Sequence, residues 1–426
     1  MRLLRVLSIF TAVAVFLCGC SAQRETWKIV YNASPQAMDA AIHSDATFPY
    51  IWDAAENTVP EIDPPVHLRP CCAFGMDMKT SFRGIPIPFV KVSNIVETSD
   101  IGVHTYDAGL VGHGTDRDEI KDNEENGVIY TCRAGFVDLA HIRDYSDWTI
   151  YLAFWIHNHL GEDLEMQLPP ELGPRKILIH SFDPSGLSRQ QKVILAVSMA
   201  QWAAIRLSAW HEIAQWHGHG LKAFPEYPSA YSVEDLYSNI LGAKIAAAII
   251  YSGGSKSDQL YSRNFDQWLK NILEHLGAQP IEVSRAYMKA VDQHWWDSNE
   301  RLPNKYIVLK RNYDLGHIQQ PVIPPSILRD KVDASSKADC ESDEPIVLSL
   351  VDRIYGFKMK DLVSMHITID DEFHPVFAYP SPEHEKSRLI TDDDFAAIAA
   401  ANAAVDKQEL DTRKAVAAHG DHSNEP

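Results

Sequence analysis

The stretch from Ser188 to Gly220, SRQQKVILAVSMAQWAAIRLSAWHEIAQWHGHG, sets the tightest limit on how this chain folds. Ser188 reads as a cap, and the apolar run behind it predicts one long helix from Gln190 to about His217, stopped by Gly218 and Gly220. So apolar a helix needs other elements around it. Candidates are plentiful. A helix is expected from about Ala134 to Leu160, polar in its first half and very apolar in its second. YSVEDLYSNILGAKIAAAIIYSGG predicts another, with Ser232 and Asp235 as a capping pair and Gly253-Gly254 as its end. Further helices are expected near Asp258 to His275, Ile281 to Trp296 and from Thr391 onward, where Asp394 partners Thr391. Short alternating segments, among them RKILIHSF, NKYIVLKRN, PIVLSLVDRIYGF, LVSMHITID and PVFAYP, read as strands. The resulting class is α+β and helix-dominated, a central helical bundle with small antiparallel strands at its flanks.

The chain opens MRLLRVLSIFTAVAVFLCGC, with Arg2 and Arg5 ahead of an uncharged apolar run, the pattern of a secretory signal peptide. Leu17-Cys18-Gly19-Cys20 is similar to a bacterial lipobox, which makes Cys20 the expected lipidated first residue and residues 1–19 the leader. The alternative is an ordinary signal peptide cut near Ala22. Ser21 stands where an Asp in Gram-negative lipoproteins goes with inner-membrane retention. The expected address is therefore the cell envelope, lipid-anchored at the outer membrane and facing the periplasm. Residues 20–66, broken by several prolines, read as a tether and irregular segment. Residues 67–390 read as one large α+β domain, and 391–426 as a C-terminal helix with a disordered tail. Past the leader, the most apolar run is Ala243 to Tyr251, well short of the roughly 20 residues of a membrane span.

The formal net charge is −19, and loss of Arg2 and Arg5 with the leader makes the mature chain more acidic still. That excess argues against nucleic acid as a partner and against a broad face for anionic lipid. Six cysteines in 426 residues are too few to be the scaffold of a protein this size.

HEIAQ, at His211 to Gln215, resembles the zinc-peptidase helix signature but lacks its second His, because the position four residues on is Gln215. Any metal site must draw ligands from elsewhere. On the preceding helix Asp138, His141, Asp144 and Asp147 recur every three residues, and neighbours such as His141 and Asp144 share a face. On the following helix Asp235, Asn239, Gly242 and Ala246 form a stripe that is polar first and small beyond. Small residues allow close packing, so this helix is expected to lie antiparallel against the His211 helix. That arrangement predicts a Zn²⁺ or other divalent ion held by His211, by Glu234 or Asp235, and by His141 with Asp144. Glu212 is then the general base of a metal-dependent hydrolase. Plain alternatives exist: Glu234 and Asp235 suit a helix N-terminus without metal, His141 and Asp144 suit a solvated face, and His217 and His219 suit a flexible helix end.

A second chemistry is legible in GVHTY and YTCRAGF. His104 on an expected strand and Cys132 near an expected helix start follow the order found in circularly permuted papain-like hydrolases and acyltransferases. The competing reading of Cys132 is a disulfide with Cys71 or Cys72, or simple burial. A third possibility is a non-catalytic envelope scaffold that recognises a glycan or partner.

Taken together, the lipobox, RPCCAFG, GVIYTCRAGFVDLAHIRDYSDWT, WHEIAQWHG and YSVEDLYSNILGAKIA resemble a bacterial lipoprotein family known as domain of unknown function 4056. The resemblance spans about residues 66 to 250. It implies a shared fold and an envelope address, and it brings no catalytic residue with it.

Overall fold

The computed structural model describes residues 35–43, 62–65, 68–69, 73–108, 124–221, 224–338, 340 and 344–420. The leader, Cys20, Cys71 and Cys72 lie outside them. Ten α-helices are present among the described residues: α1 (Pro35–His43), α2 (Leu139–Asn158), α3 (Arg189–Trp216), α4 (Asp235–Tyr251), α5 (Asp258–His275), α6 (Ile281–Ala290), α7 (Ser326–Arg329), α8 (Met359–Leu362), α9 (Pro382–Ser387) and α10 (Phe395–Gly420). With several small, mostly antiparallel sheets they make a helix-dominated α+β protein.

The long helix forms as its sequence predicts. Ser188 Oγ accepts from the Gln191 amide, and the Gln191 side chain returns the bond to the Ser188 amide. This reciprocal cap satisfies donors that the first helical turn leaves open. Although α3 is long and apolar enough to cross a membrane, the rest of the chain encloses it, and it is a core helix. Its neighbours are α2 and α4, with α10 adding the Phe395 ring 5.6 Å from Trp210. A four-stranded antiparallel sheet covers α3 from another side. In it Leu164–Leu168, Arg175–Ile179, Val363–Thr368 and Leu389–Thr391 lie side by side in that order. Ile177 opposite Met365 shows the alternation that turns one face of this sheet inward.

The close approach on which the interior depends is between α2 and α4. A Cβ on Gly242 of α4 would run into the Ile142 carbonyl oxygen of α2. The small-residue stripe therefore seats α2 more closely than α3, to which the sequence reading had assigned it. All 17 residues of α4 are buried, polar ones included.

Other expectations shift at element ends. Residues 135–138 do not begin α2; they pair back on Val128–Thr131 as a hairpin, and Asp138 at its end caps the helix through the amides of Ala140 and His141. Gly135 sits at that turn with φ +72°, where a side chain would meet the Val322 carbonyl. α6 ends at Ala290, not Trp296. NKYIVLKRN holds a 3-10 turn and PVFAYP has no strand, because tight turns and side-chain packing fix these segments in place of a ladder.

Candidate metal centre

The polar starts of α2 and α4 and the late part of α3 converge in the interior. His141, Glu212 and Asp235 each bring a ligand-type atom, all within 4.8 Å of one another. Asp138, Glu234 and Asp235 form a second such group, so Asp235 is common to both. These five side chains are 0–4% exposed. His141 donates from Nδ1 to Asn239 Oδ1 at 2.8 Å and turns Nε2 toward Asp235 Oδ1 at 3.5 Å. Metal-bound imidazoles commonly carry such a hydrogen bond on the ring nitrogen away from the ion. Glu212 accepts the Tyr231 amide on Oε2 at 2.5 Å. Its Oε1 has no hydrogen-bond partner among the described residues, and neither do Glu234 Oε1 and Asp138 Oδ2.

Tyr231 is held with φ +55°, a conformation that costs a non-glycine residue free energy and recurs at functional sites. Arg311 fixes this loop by donating to the carbonyls of Ala230 and Tyr227, while the Asn312 amide donates to the Tyr231 carbonyl. The Ser232–Asp235 capping pair does not form. Ser232 instead donates to Glu234 Oε2 at 2.6 Å, and α4 starts without a side-chain cap. The acids at this helix start are thus not engaged as caps, although the helix dipole favours their charge.

Electrostatically the cluster holds more carboxylates than cations. Burial pushes the Glu212 carboxyl up, against the opposing pull of His141. Burial likewise raises Asp138. Glu234 is pushed up to about 8 by burial, with Asp138 adding to the shift. For His141 burial acts downward, yet Asp235, Asp138 and Glu212 together carry it up to about 10. Burial thus favours protons on these carboxyls, and a bound divalent cation would offset their negative charge in the same way.

His211 does not join this group. Adjacent residues on a helix point about 100° apart, so Glu212 faces α2 and α4 while His211 faces Glu171, with Nδ1 to Oε1 at 3.0 Å. Glu171 also pairs with Arg175 at 2.7 Å, and Trp210 donates to its carbonyl. His219 lies 3.9 Å from the same carboxylate, making a third possible ligand set of Glu171, His211 and His219. Burial works against the Glu171 charge, but Arg175 and His211 hold its carboxyl down at about 2. A carboxylate already matched by Arg175 needs no metal. His217, expected in a flexible helix end, is buried and stacked on Phe377 at 4.7 Å, and burial lowers its imidazole to about 3.

Asp144 also leaves the expected set. Its carboxylate receives the Arg69 backbone amide at 3.0 Å and the Arg69 guanidinium at 2.7 Å. Arg69 continues to Glu124 and Asp147, in a buried network that ties the segment before α2 to that helix. Three residues along a helix are 300° apart, a net offset of about 60°, so the two do share a side of α2; it is Arg69 that takes the Asp144 carboxylate.

The thiol reading is corrected by the same network and by a disulfide. His104 spends its ring nitrogens on Glu124 at 3.1 Å and Asp147 at 3.0 Å. Cys132 sits in a hairpin turn and not at a helix start, and it is bonded to Cys340, 208 residues away. A disulfide sulfur is no nucleophile of the papain kind. The native protein is expected to leave Cys132 unmodified by iodoacetamide in peptide mapping. Cys132→Ser with Cys340→Ser is expected to lower unfolding stability by about 2–4 kcal/mol in a denaturant titration.

Glu171 and Asp138 were missed as members of ligand groups. Asp138 carried a signal, as the cap residue immediately before the polar half of α2. Glu171 carried none, because only folding brings PELGPR against α3.

Fold and site together define a helix-dominated α+β protein whose bundle encloses a histidine–carboxylate cluster. Residues 59–325 match the family described as Protein of unknown function (DUF4056), and the chain belongs to that family. The matched span contains all three ligand groups, whereas α10 and the Val363–Thr368 strand lie beyond it. No curated protein and no solved structure matches the chain.

Proposed function

We propose that this is a metal-dependent hydrolase of the cell envelope, with one divalent ion held by His141, Glu212 and Asp235. The observation that carries the reading is three ligand-type side chains from three helices, within 4.8 Å, beside buried oxygens of Glu212, Glu234 and Asp138 that have no hydrogen-bond partner among the described residues. These three side chains would hold the ion between them. A mixed set of one imidazole and two carboxylates suits Zn²⁺ without excluding its neighbours. Three protein ligands leave a position for water, which the ion makes acidic. Glu212 becomes a ligand in this arrangement. The proton-transfer role passes to Glu234, whose carboxyl near 8 can give or take a proton at neutral pH.

The enclosure of the cluster favours one other reading, a closed structural ion. Elemental mass spectrometry on metal-reconstituted protein is expected to find about one equivalent in the wild type and in His211→Ala, and none in His141→Ala. Metal retained in His141→Ala sinks the site. Glu234→Gln separates the two readings: metal kept and ester or amide turnover lost supports the hydrolase, whereas turnover unchanged supports a structural ion.

The envelope address is proposed with it, through a lipid on Cys20. Cys20→Ser is expected to move the protein from the membrane fraction to the soluble fraction, and an unchanged distribution counts against the anchor.

A further inference from the structure

A cavity of about 670 Å³ opens between the 294–331 segment and α10, away from the buried cluster. Its floor is apolar: Trp295 is 3% exposed, Val308 1% and Leu328 5%. At its edge Ile327 is 73% exposed, a large apolar side chain left in water. The charges on the walls are unequal. Asp406 is taken by Lys305 at 2.6 Å and Arg311 at 3.5 Å, and Asp411 by Lys407 at 2.7 Å. Lys310 and Lys331 have no carboxylate partner among the described residues. Lys310 lies over the Trp295 ring, 4.2 Å from its centre, and the Lys331 ammonium lies 3.2 Å from the His294 ring nitrogen. Lys414 adds a further cation to the α10 wall.

We propose that this cavity binds a small amphiphilic anion, a phosphate or carboxylate head on an apolar tail. The head meets Lys310 and Lys331 at the mouth, and the tail covers Trp295, Leu328 and Ile327. Two features carry the assignment. Unmatched positive charge gathers at one cavity in a chain of net charge −19, and apolar surface directly beside it is left open to water. A head group alone does not use that apolar surface, and a neutral tail alone leaves the cations unmatched. Burial lowers the Lys310 ammonium with no acid to offset it, and an anion reverses that cost. The proposal is independent of the metal. Two lining residues connect it to the cluster: Arg311 holds the loop whose Tyr231 amide reaches Glu212, and the Tyr313 ring lies 4.7 Å from that of Tyr231.

Isothermal titration of the full chain with decyl phosphate below its micelle concentration tests it, with decyl maltoside and inorganic phosphate as separate titrants. The expected result is one decyl phosphate per chain, binding more tightly than either control. Affinity should fall at least tenfold in Lys310→Glu and in Lys331→Glu, and stay unchanged in Lys360→Glu, an exposed lysine of α8. Lys331 is exposed, so its variant folds even where Lys310→Glu does not. Absence of binding overturns the proposal. So does equal binding of decyl maltoside, which marks a merely apolar cavity, or of phosphate alone, which marks a simple anion site. Wild-type affinity in Lys331→Glu also overturns it.

Discussion

Glu212→Gln is expected to make the metal-free protein more stable at pH 8 and to weaken metal binding at the same time. The glutamine oxygen can still accept the Tyr231 amide, so the bond that shapes the loop survives. What disappears is a buried carboxyl whose Oε1 has no partner among the described residues and whose ionisation burial opposes. Burial raises this carboxyl, and each unit of upward shift corresponds to about 1.4 kcal/mol removed when the charge goes. Metal affinity moves the other way, because an amide oxygen is a far poorer ligand than a carboxylate for a divalent ion. A loss of about tenfold or more is the expected size, as for other disturbances of a metal site. Denaturant titration with chelator and a competitive metal titration, run on the same variant, read the two effects. Opposite signs identify a residue kept for binding at the expense of stability. A variant that is less stable without metal contradicts this account of Glu212.

The second large effect is on pH. Between 4.5 and about 8 folded Glu234 holds a proton that the unfolded chain has released, so stability falls as pH rises through that window. His141 acts in the same direction. Its contribution is complete below 6.5 and is lost as pH rises through about 10. His217 has the opposite sign, since its imidazole is lowered to about 3, but its effect is finished by pH 6.5. The metal-stripped protein is therefore expected to lose stability from pH 6.5 to 8, by about 1.4 kcal/mol per pH unit for each proton of difference. His104 and His211 are also raised and add to the slope, so the informative comparison is with Glu234→Gln, where the slope must be shallower. Metal displaces the protons, and its affinity rises with pH. Added Zn²⁺ should flatten or reverse the loss. A Glu234→Gln slope equal to wild type removes the raised carboxyl from the explanation.

Local physics made much of the fold legible. Ser188 and Gln191 close their cap wherever the helix packs, Thr391 and Asp394 do the same before α10, and the alternation of RKILI and LVSMHIT needs only a covered face. These are interactions between residues a few positions apart, and the sequence contains both partners. The ends of α2 and α6 were misjudged because a hairpin and a tight turn competed there with helical pattern.

For the site, the sequence by itself determined which helices carry the polar groups. It named His141, Glu212, Glu234 and Asp235, Glu212 from an otherwise apolar helix and the others from the polar starts of theirs. Only the tertiary structure decided which of them meet. His211 and Glu212 are neighbours in the chain, yet a rotation of about 100° gives one to Glu171 and the other to His141 and Asp235. His141 and Asp144 part although they share a side of α2, because Arg69, 75 residues before Asp144, claims the latter. The Gly242 contact with Ile142 draws α2 onto α4 and so brings His141 to Asp235 and Asn239. Periodicity fixes where a side chain points around its own helix axis. What stands opposite depends on how closely helices pack and at what rotation, and that is set by atoms far apart in sequence.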